Sequence, residues 1–198
     1  MEIQIQKAIE ILKQGGIIIF PTDTAFGIGC DMQNEHAVER LFKIRRRPLE
    51  KATPVLVDTV KMAQDYLQPI PKAVIDTLIE PYWPGALTIV LPCIMEKVPA
   101  FVRGGGETLG VRIPNHPVPR AIMQGLGKPI LGPSANFHGE QTPYVSKDLN
   151  SALVGLVDLV IEGDCGSNEA STVIDCSVTP WKILRQGKIN VDLVRLSH

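Results

Sequence analysis

Hydrophobic residues along this chain follow two alternating spacings, one typical of helices and the other of strands. Four of them near the N-terminus recur at helical spacing: Ile5, Ala8, Ile9 and Leu12. This spacing predicts a first helix, the glycines at 15–16 predict its end, and the β-branched run at 17–20 predicts a strand. The chain is therefore expected to begin as helix, turn and strand.

The same alternation continues through the rest of the chain. A second helix is expected over 35–45, and shorter helices over 73–79 and 118–123. Further strands are expected at these segments: 54–57, 86–91, 109–113, 130–131, 157–161, 172–175 and 182–184. Together with the first strand they make about seven or eight. Strands that alternate with helices in this way predict an α/β fold around one mixed sheet.

Composition places the chain among ordinary globular proteins. Of its 198 residues, 44% are hydrophobic and 21% are charged, which predicts a single domain covering 1–198. The 20 basic and 21 acidic residues nearly balance, which disfavours a general nucleic-acid coat. No apolar run approaches the roughly 20 residues of a membrane span, and the N-terminus lacks a secretory apolar region. A cytoplasmic protein with no membrane partner is therefore expected.

The cysteines and histidines show no spacing typical of a metal site. They are scattered along the chain: Cys30, Cys93, Cys165, Cys176, His36, His116, His138 and His198. None of the cysteines forms a Cys-x-x-Cys pair, so neither a zinc knuckle nor a redox motif is indicated. We expect buried free thiols and no metal held by protein side chains.

One short segment concentrates positive charge in an otherwise neutral protein. Lys43–Lys51 reads KIRRRPLEK, five basic residues in nine, whereas the whole chain has a formal charge of −1. Pro48 is expected to stop the preceding helix. This basic cluster favours a local anion site, for a triphosphate or for a nucleic-acid backbone. It also fits a solvated helix end, whose cations face the negative end of the helix dipole.

Three loops rich in small and hydroxylated residues flank predicted strands. They are Pro21–Gly29, Gly132–Asn136 and Glu169–Asp175. Open α/β sheets bind ligands where strands end, so these loops are candidates for a binding site. Taken singly, each loop also fits a structural role as a capped turn, an Asx turn or a strand edge.

A series of short motifs connects these loops with the basic cluster. The motifs are Pro21–Gly27, Arg45–Pro48, Trp83–Thr88, Val111–Pro117, Ser134–Asn136, Ser171–Asp175 and Leu184–Gly187. In this order, and over nearly the entire chain, they resemble the YrdC/Sua5 family in its short, single-domain form. The resemblance implies a twisted mixed α/β sheet with flanking helices, enclosing a concave and positively charged cavity.

The resemblance also implies an activity. Members of the family are L-threonylcarbamoyladenylate synthases, nucleotidyltransferases that form threonylcarbamoyl-AMP and pyrophosphate. The expected substrates are L-threonine, bicarbonate or carbon dioxide, and ATP with Mg²⁺. The product would serve the N6-threonylcarbamoyladenosine modification of tRNA. The transferase of that pathway is the expected functional partner, and tRNA or double-stranded RNA is a further candidate ligand.

Individual residues take roles from the same resemblance. Four fall on catalytic positions of the family: Arg45, Arg47, Ser134 and Asn136. Six match positions that contact ATP: Arg47, Lys51, Thr108, Ser134, Thr142 and Arg185. Four match positions around threonine: Thr24, Arg112, Gly132 and Ser171. Arg112 would pair with the threonine carboxylate, since a planar guanidinium can bind it through two hydrogen bonds. A structural ion pair is the alternative role for this arginine.

Phe26 and Pro133 replace common family residues in ways that also occur among relatives, and two further departures bear on the expected site. Arg45 stands where lysine is usual, and the two side chains differ in shape and hydration. Leu56 lies near the position of a histidine found in longer Sua5 proteins. We expect phosphate binding to survive the first change, while the second weakens the assignment of the threonine site.

Two other functions are consistent with the sequence. The basic concavity could hold double-stranded RNA or tRNA through backbone contacts, although the balanced charge and an aromatic content of 5% argue against a dedicated RNA binder. A YciO-like or carbamoyl-transferring paralogue would share the cavity but act differently. Ser134 and Asn136, which YciO-like chains tend to lose, favour the synthase.

Overall fold

The computed structural model describes residues 1–191, and the end of the predicted single domain, 192–198, lies outside the described residues. Its helices are α1 (Glu2–Lys13), α2 (Glu35–Ile44), α3 (Val60–Gln64), α4 (Lys72–Val74), α5 (Glu80–Tyr82), α6 (Pro117–Leu126) and α7 (Ser151–Val154). A π-helical turn, Ile75–Ile79, joins α4 to α5, and two 3₁₀ turns span Met95–Lys97 and Ser146–Asp148. No helix within residues 1–191 is both long and apolar enough to cross a membrane.

The strands are short and follow the predicted segments closely. They are β1 (Ile18–Phe20), β2 (Gly27–Gly29), β3 (Val55–Leu56), β4 (Leu87–Pro92), β5 (Thr108–Arg112), β6 (Ile130–Leu131), β7 (Leu159–Val160), β8 (Thr172–Asp175) and β9 (Lys182–Arg185). Strand β2 was expected to be a loop, because Gly-Ile-Gly has low strand propensity. The mixed α/β fold is confirmed.

The strands form two mixed sheets, so the prediction of one sheet is wrong. The small sheet has the order β2-β1-β7 and the large sheet the order β6-β3-β5-β4-β8-β9. Parallel pairs are β1 with β7, β3 with β5 and β4 with β8, and the other neighbours are antiparallel. The sequence spacing indicated which segments are strands but carried no information on where the sheet divides.

A few backbone hydrogen bonds between β2 and β6 join the two sheets. The N–H of Leu131 donates to the carbonyl of Cys30 at 3.0 Å, and the N–H of Ile28 donates to that of Pro133 at 2.9 Å. A Cβ on Gly29 would lie 2.1 Å from the carbonyl oxygen of Leu131, so only glycine allows this approach. The join between β2 and β6 therefore depends on a residue with no side chain.

The core has two parts, and each contains residues of both sheets. Helices α1 and α6 pack against β1 and β6 through a smaller cluster that includes Ile9, Leu12, Ile122 and Met123. The larger cluster includes residues of α2 and of strands in both sheets. Both helices present an apolar stripe of helical spacing, as the sequence predicts. The loops that follow β1 and α2 are thereby held over the end of the large sheet.

Candidate active site

A cavity of about 170 Å³ lies where the two sheets meet. Antiparallel pairing places the C-terminal ends of β5 and β9 at the same edge of the large sheet as the N-terminal ends of β4 and β8. The loop after β1 and the basic segment after α2 close over this edge. The lining residues are Thr22, Thr24, Ala25, Phe26, Gly27, Arg45, Arg47, Pro54, Leu56, Thr88, Arg112, Gly132, Pro133, Ser134, Thr142, Ala170, Ser171 and Arg185.

The cavity is positively charged. Four arginines line it, and the lining within residues 1–191 includes no aspartate or glutamate. Burial, with a contribution from Arg47, lowers the pKa of Arg45 to about 10, so this guanidinium remains protonated at neutral pH. The basic segment therefore contributes two of the four cations that line the cavity, and its role as an anion site stays a prediction.

Arg112 is fixed at the floor of the cavity by three groups. Its Nη2 pairs with Asp23 Oδ1, Nη1 donates to Thr24 Oγ1 at 2.9 Å, and Nε donates to the carbonyl of Gly85 at 2.9 Å. Burial lowers the pKa of Arg112 and the charge of Asp23 acts in the opposite direction. The ion pair expected as an alternative role for Arg112 is present, and the same side chain still lines the cavity.

The loop that carries Thr24 is shaped by a neighbouring hydroxyl. Thr22 Oγ1 accepts from the N–H groups of Thr24 and Ala25 at 3.1 and 3.2 Å and donates to the carbonyl of Ala25 at 2.7 Å. This local turn fixes Thr24, whose hydroxyl is 3.0 Å from that of Thr22. The turn thus positions a hydroxyl beside the Arg112 guanidinium.

Arg185, at the end of β9, also lines the cavity and is held by Ser171. Arg185 Nε donates to the Ser171 carbonyl and Nη2 donates to its hydroxyl, both at 2.9 Å. The Ser171 and Thr88 hydroxyls are 3.0 Å apart. Because the starts of β4 and β8 are adjacent, these two hydroxyls meet at the cavity surface. The result is a polar wall of one cation and two hydroxyls.

Asn136 links two further cavity residues, Arg45 and Ser134. Arg45 Nε donates to the carbonyl of Asn136 at 3.1 Å, and its Nη2 lies 3.4 Å from Oδ1. Ser134 Oγ donates to the same Oδ1 at 2.6 Å. Arg45 Nη1 is buried and has no hydrogen-bond acceptor among the described residues. A buried guanidinium N–H left without an acceptor lowers the stability of the fold.

Arg47 is fixed by the backbone of its own segment. Its Nε donates to the carbonyl of Lys51 at 3.2 Å and its Nη2 to that of Ala52 at 2.5 Å. Between the two cavity arginines, Arg46 has a positive φ of 52° and turns its guanidinium over the Phe137 ring, 4.2 Å from the centroid. The chain therefore directs Arg45 and Arg47 to the cavity and Arg46 away from it.

Most of the residues assigned from the sequence meet in this cavity. Those that line it are Thr24, Arg45, Arg47, Arg112, Gly132, Ser134, Thr142, Ser171 and Arg185. Asn136 lies directly behind Arg45 and Ser134. Their assignment to ATP or threonine stays a prediction.

Two assigned residues lie away from the lining. Thr108 begins β5 and pairs with Pro92, whereas Arg112 ends the same strand, about 13 Å further along. Lys51 is exposed, and its contribution to the site is a backbone carbonyl that accepts a hydrogen bond from Arg47 Nε. The resemblance assigned both residues to ATP although they lie just outside the quoted motifs, and their distance from the cavity depends on strand direction and side-chain exposure.

Sequence reasoning missed three residues that shape the site. Thr22 and Thr88 line the cavity, and Asp23 pairs with Arg112. All three lie inside quoted motifs, so the motifs themselves were the available signal. The partner of Asp23 is 89 positions away in the sequence, and no local pattern reveals such a pair.

The described residues include no cluster of three or more histidine, cysteine, aspartate or glutamate side chains that could hold a metal ion. The four cysteines are free, and Cys30, Cys93 and Cys176 are buried. Burial raises the pKa of the Cys176 thiol to about 12 and that of Cys30 further still. These two thiols are protonated at neutral pH and are poor nucleophiles.

Comparison with known proteins relates this geometry to a family. The family model Sua5_yciO_yrdC, described as telomere recombination, matches residues 10–187. The chain belongs to the Sua5/YciO/YrdC family. All cavity-lining residues lie inside the matched Sua5/YciO/YrdC region. The resemblance drawn from the motifs is confirmed.

Individual relatives support the family assignment over most of this chain. A Bacillus subtilis threonylcarbamoyl-AMP synthase is 33% identical over 195 residues, 96% of this chain and 55% of the relative. A Marinobacter nauticus protein of the same name is 32% identical over 174 residues, 87% of this chain and 91% of the relative. The crystal structure of P. abyssi Sua5 complexed with L-threonine has a TM-score of 0.89 at 31% identity, covering 94% of this chain and 55% of that one. This chain thus spans about half the length of the Bacillus and P. abyssi relatives.

Proposed function

We propose that the protein is a threonylcarbamoyl-AMP synthase, which forms threonylcarbamoyl-AMP and pyrophosphate from L-threonine, bicarbonate or carbon dioxide, and ATP. The observation that carries the proposal is the meeting, in one cavity, of Arg45, Arg47 and Ser134 with Arg112 and Ser171. The names of the Bacillus and Marinobacter relatives and the threonine complex of P. abyssi Sua5 support it.

The reaction requires positioning and charge neutralisation more than a protein nucleophile. The threonine amine captures carbon dioxide as a carbamate, and a carbamate oxygen then attacks the α-phosphorus in line as pyrophosphate leaves. Such phosphoryl-transfer steps depend on cations at the phosphates and on the alignment of the reacting groups. The four cavity arginines supply the cations.

Arg112 can bind the threonine carboxylate without giving up its present partners. A guanidinium has five N–H donors, and Asp23, Thr24 and Gly85 use three of them. The remaining two, one on each Nη, can form the paired hydrogen bonds that a carboxylate prefers. Thr24 and Ser171 would then place hydroxyls next to the bound amino acid, and Gly132 would leave space for it.

Arg45 and Arg47 would bind the triphosphate from the other side. Arg47 is already oriented by two carbonyls, which lowers the entropy lost when a phosphate binds to it. Arg45 lines the cavity and adds its positive charge to the site. Ser134 Oγ, Thr142 and Arg185 would extend these contacts along ATP, and Lys51 and Thr108 would do so only at the far ends of a long ligand.

Mg²⁺ belongs to the proposal as part of the ATP substrate. The described cavity lining has no carboxylate to ligate the ion, so the phosphates would carry it. We also propose a cytoplasmic location, with tRNA modification as the purpose of the product and a transferase of the tRNA as its consumer. The balanced charge of the chain disfavours extensive direct contact with RNA.

Pyrophosphate release is the direct test. The protein is assayed with ATP, Mg²⁺ and bicarbonate, in the presence of L-threonine, L-serine or no amino acid. Release that requires threonine, and that falls at least about 100-fold in Arg47→Ala and Arg112→Ala, is expected. Lys43→Ala is the matched control, because Lys43 belongs to the same basic cluster but pairs with Glu39 on the surface of α2, outside the cavity.

Three outcomes would contradict the proposal. Release that is indifferent to threonine would indicate a paralogue, and turnover of carbamoyl phosphate in place of threonine would indicate a carbamoyl-transferring enzyme. Salt-sensitive binding of double-stranded RNA, with no ATP turnover by the folded protein, would indicate an RNA-binding module.

A further inference from the structure

His138 stands beside the two cavity arginines, although no role has been assigned to it above. It follows Asn136 and Phe137 in the loop after β6, and its backbone N–H donates to the Arg45 carbonyl at 2.8 Å. Its Nδ1 lies 3.4 Å from Arg47 Nη1. The residue before it, Phe137, is buried, while His138 itself is exposed. His138 is not among the lining residues, and its imidazole lies just outside the cavity, next to Arg47 and the proposed phosphate site.

We propose that His138 is a further phosphate-binding residue, which takes up a proton from solvent when the triphosphate of ATP binds against Arg47. This inference rests on the proposed function for the identity of the anion. It deepens that function by making the affinity for ATP depend on pH. The imidazole acts as a binding residue at the rim and is not part of the reacting groups.

The contact with Arg47 favours the neutral form of His138 when the site is empty. Arg47 can only donate, so a hydrogen bond at this 3.4 Å contact requires an accepting His138 Nδ1, with the ring proton on Nε2. The other Arg47 groups are engaged by the Lys51 and Ala52 carbonyls, which keeps Nη1 directed at the ring. A protonated ring could not accept from Arg47, and it would instead donate to an anion placed between the two.

The charges around His138 also favour its neutral form when the site is empty. Desolvation first, and then the charges of Arg47, Lys51 and Arg45, lower the pKa of this imidazole. The neighbouring cation Arg46 is directed at the Phe137 ring. Glu140 is an acidic residue of the same loop, and its carboxylate is 3.4 Å from Asn150 Nδ2.

A bound triphosphate would favour the protonated form of His138. Its negative charges would offset those of the arginines and of Lys51, so the imidazolium form would no longer be disfavoured. Because the free protein holds the pKa low and the complex raises it, the complex binds more protons than the free protein between the two pKa values. ATP affinity must therefore rise as the pH falls through that window.

The test compares the wild-type chain with His138→Gln by calorimetry of ATP binding in the presence of Mg²⁺. Two buffers of different ionisation enthalpy give the number of protons taken up at about pH 6.5. Wild type is expected to take up a fraction of a proton more than the variant. The ratio of wild-type to variant affinity for ATP should rise about fivefold as the pH falls from about 8 to about 6. This change corresponds to the free energy of an exposed ion pair. His36→Gln, an exposed change on α2, is the control and should match wild type.

A second measurement follows the imidazole itself. The NMR titration of the His138 ring should shift to higher pH when inorganic pyrophosphate is added. Equal proton uptake and equal pH dependence in wild type and His138→Gln would overturn the inference while leaving the synthase proposal intact. Absence of ATP binding to the folded wild-type chain would overturn both.

Discussion

Arg112 and Asp23 form a buried ion pair that joins the end of β5 to the loop after β1. Their side chains are 7% and 12% exposed, so the pair is largely removed from water. The pair connects the large sheet with a loop of the small sheet, at the floor of the cavity. It keeps the guanidinium in place while leaving part of it free for a ligand.

Asp23→Asn is expected to destabilise the fold, because it leaves the Arg112 charge buried without its counterion. A loss of roughly 3–5 kcal/mol in the free energy of unfolding is typical for breaking a buried pair. Urea denaturation measures this loss. Asp76→Asn is the matched control, since the Lys72–Asp76 pair is exposed and its loss should leave the free energy of unfolding nearly unchanged.

The same variant separates positioning from general damage. In pyrophosphate-release assays below its unfolding transition, Asp23→Asn should raise the KM for threonine at least about tenfold and leave the KM for ATP nearly unchanged. Equal increases for both substrates would show that Asp23 has no specific role in orienting Arg112.

Substitutions of Arg45 test the departure from the family's usual lysine. Arg45→Lys keeps the charge but loses at least one of the two contacts with Asn136, so activity should fall by no more than about tenfold. Arg45→Ala removes the cation as well, and a loss of at least about 100-fold is expected. Steady-state kinetics with ATP as the varied substrate distinguishes the two. An Arg45→Lys variant as inactive as Arg45→Ala would show that guanidinium geometry, rather than charge, is required.

The join between β2 and β6 predicts a strong effect at Gly29. An added methyl group would overlap the Leu131 carbonyl, so Gly29→Ala should lower the free energy of unfolding by roughly 2–4 kcal/mol. Gly155→Ala is the control: a Cβ there meets its nearest neighbour at 3.6 Å and φ is −68°, which alanine adopts readily. Thermal unfolding of both variants measures the difference, and similar melting temperatures would contradict the prediction.

Buried thiols predict a loss of stability at alkaline pH. Folding raises the pKa of Cys176 to about 12, above the roughly 8.5 of an unfolded cysteine, and that of Cys30 moves in the same direction. The folded state then holds protons that the unfolded state releases, so stability is full below about pH 8.5 and falls as the pH rises above it. The slope should approach about 1.4 kcal/mol per pH unit for each thiol. Urea denaturation from about pH 8 to 10 measures it, and Cys30→Ala/Cys176→Ala should flatten the curve.

The sequence allowed most helices and strands to be predicted, because their hydrophobic spacing is regular. Helix α2 and strand β4 begin and end within a residue or two of the expected positions. Strand β2 was missed because its stability comes from its neighbours in space rather than from its own residues. The division into two sheets was missed for the same reason, since it depends on pairing between distant segments.

The candidate site was predictable to a similar extent. The motifs located Arg112 and Ser171, which proved to be neighbours of Thr24 and Arg185 in one cavity. They could not reveal that Asp23 holds Arg112 or that Thr108 lies at the other end of the same strand as Arg112. Those facts depend on tertiary pairing and strand direction, which a motif does not encode.

Because the strands form two sheets, a ligand in the cavity can contact both of them and so raise the stability of the whole molecule. Thr24 follows a strand of the small sheet and Ser171 precedes a strand of the large one, and few backbone hydrogen bonds connect the sheets directly. A ligand that contacts both residues adds links across this boundary. Occupied protein should therefore melt at a higher temperature and resist proteolysis longer than empty protein, because the ligand adds contacts between the sheets to those that their shared hydrophobic clusters already provide.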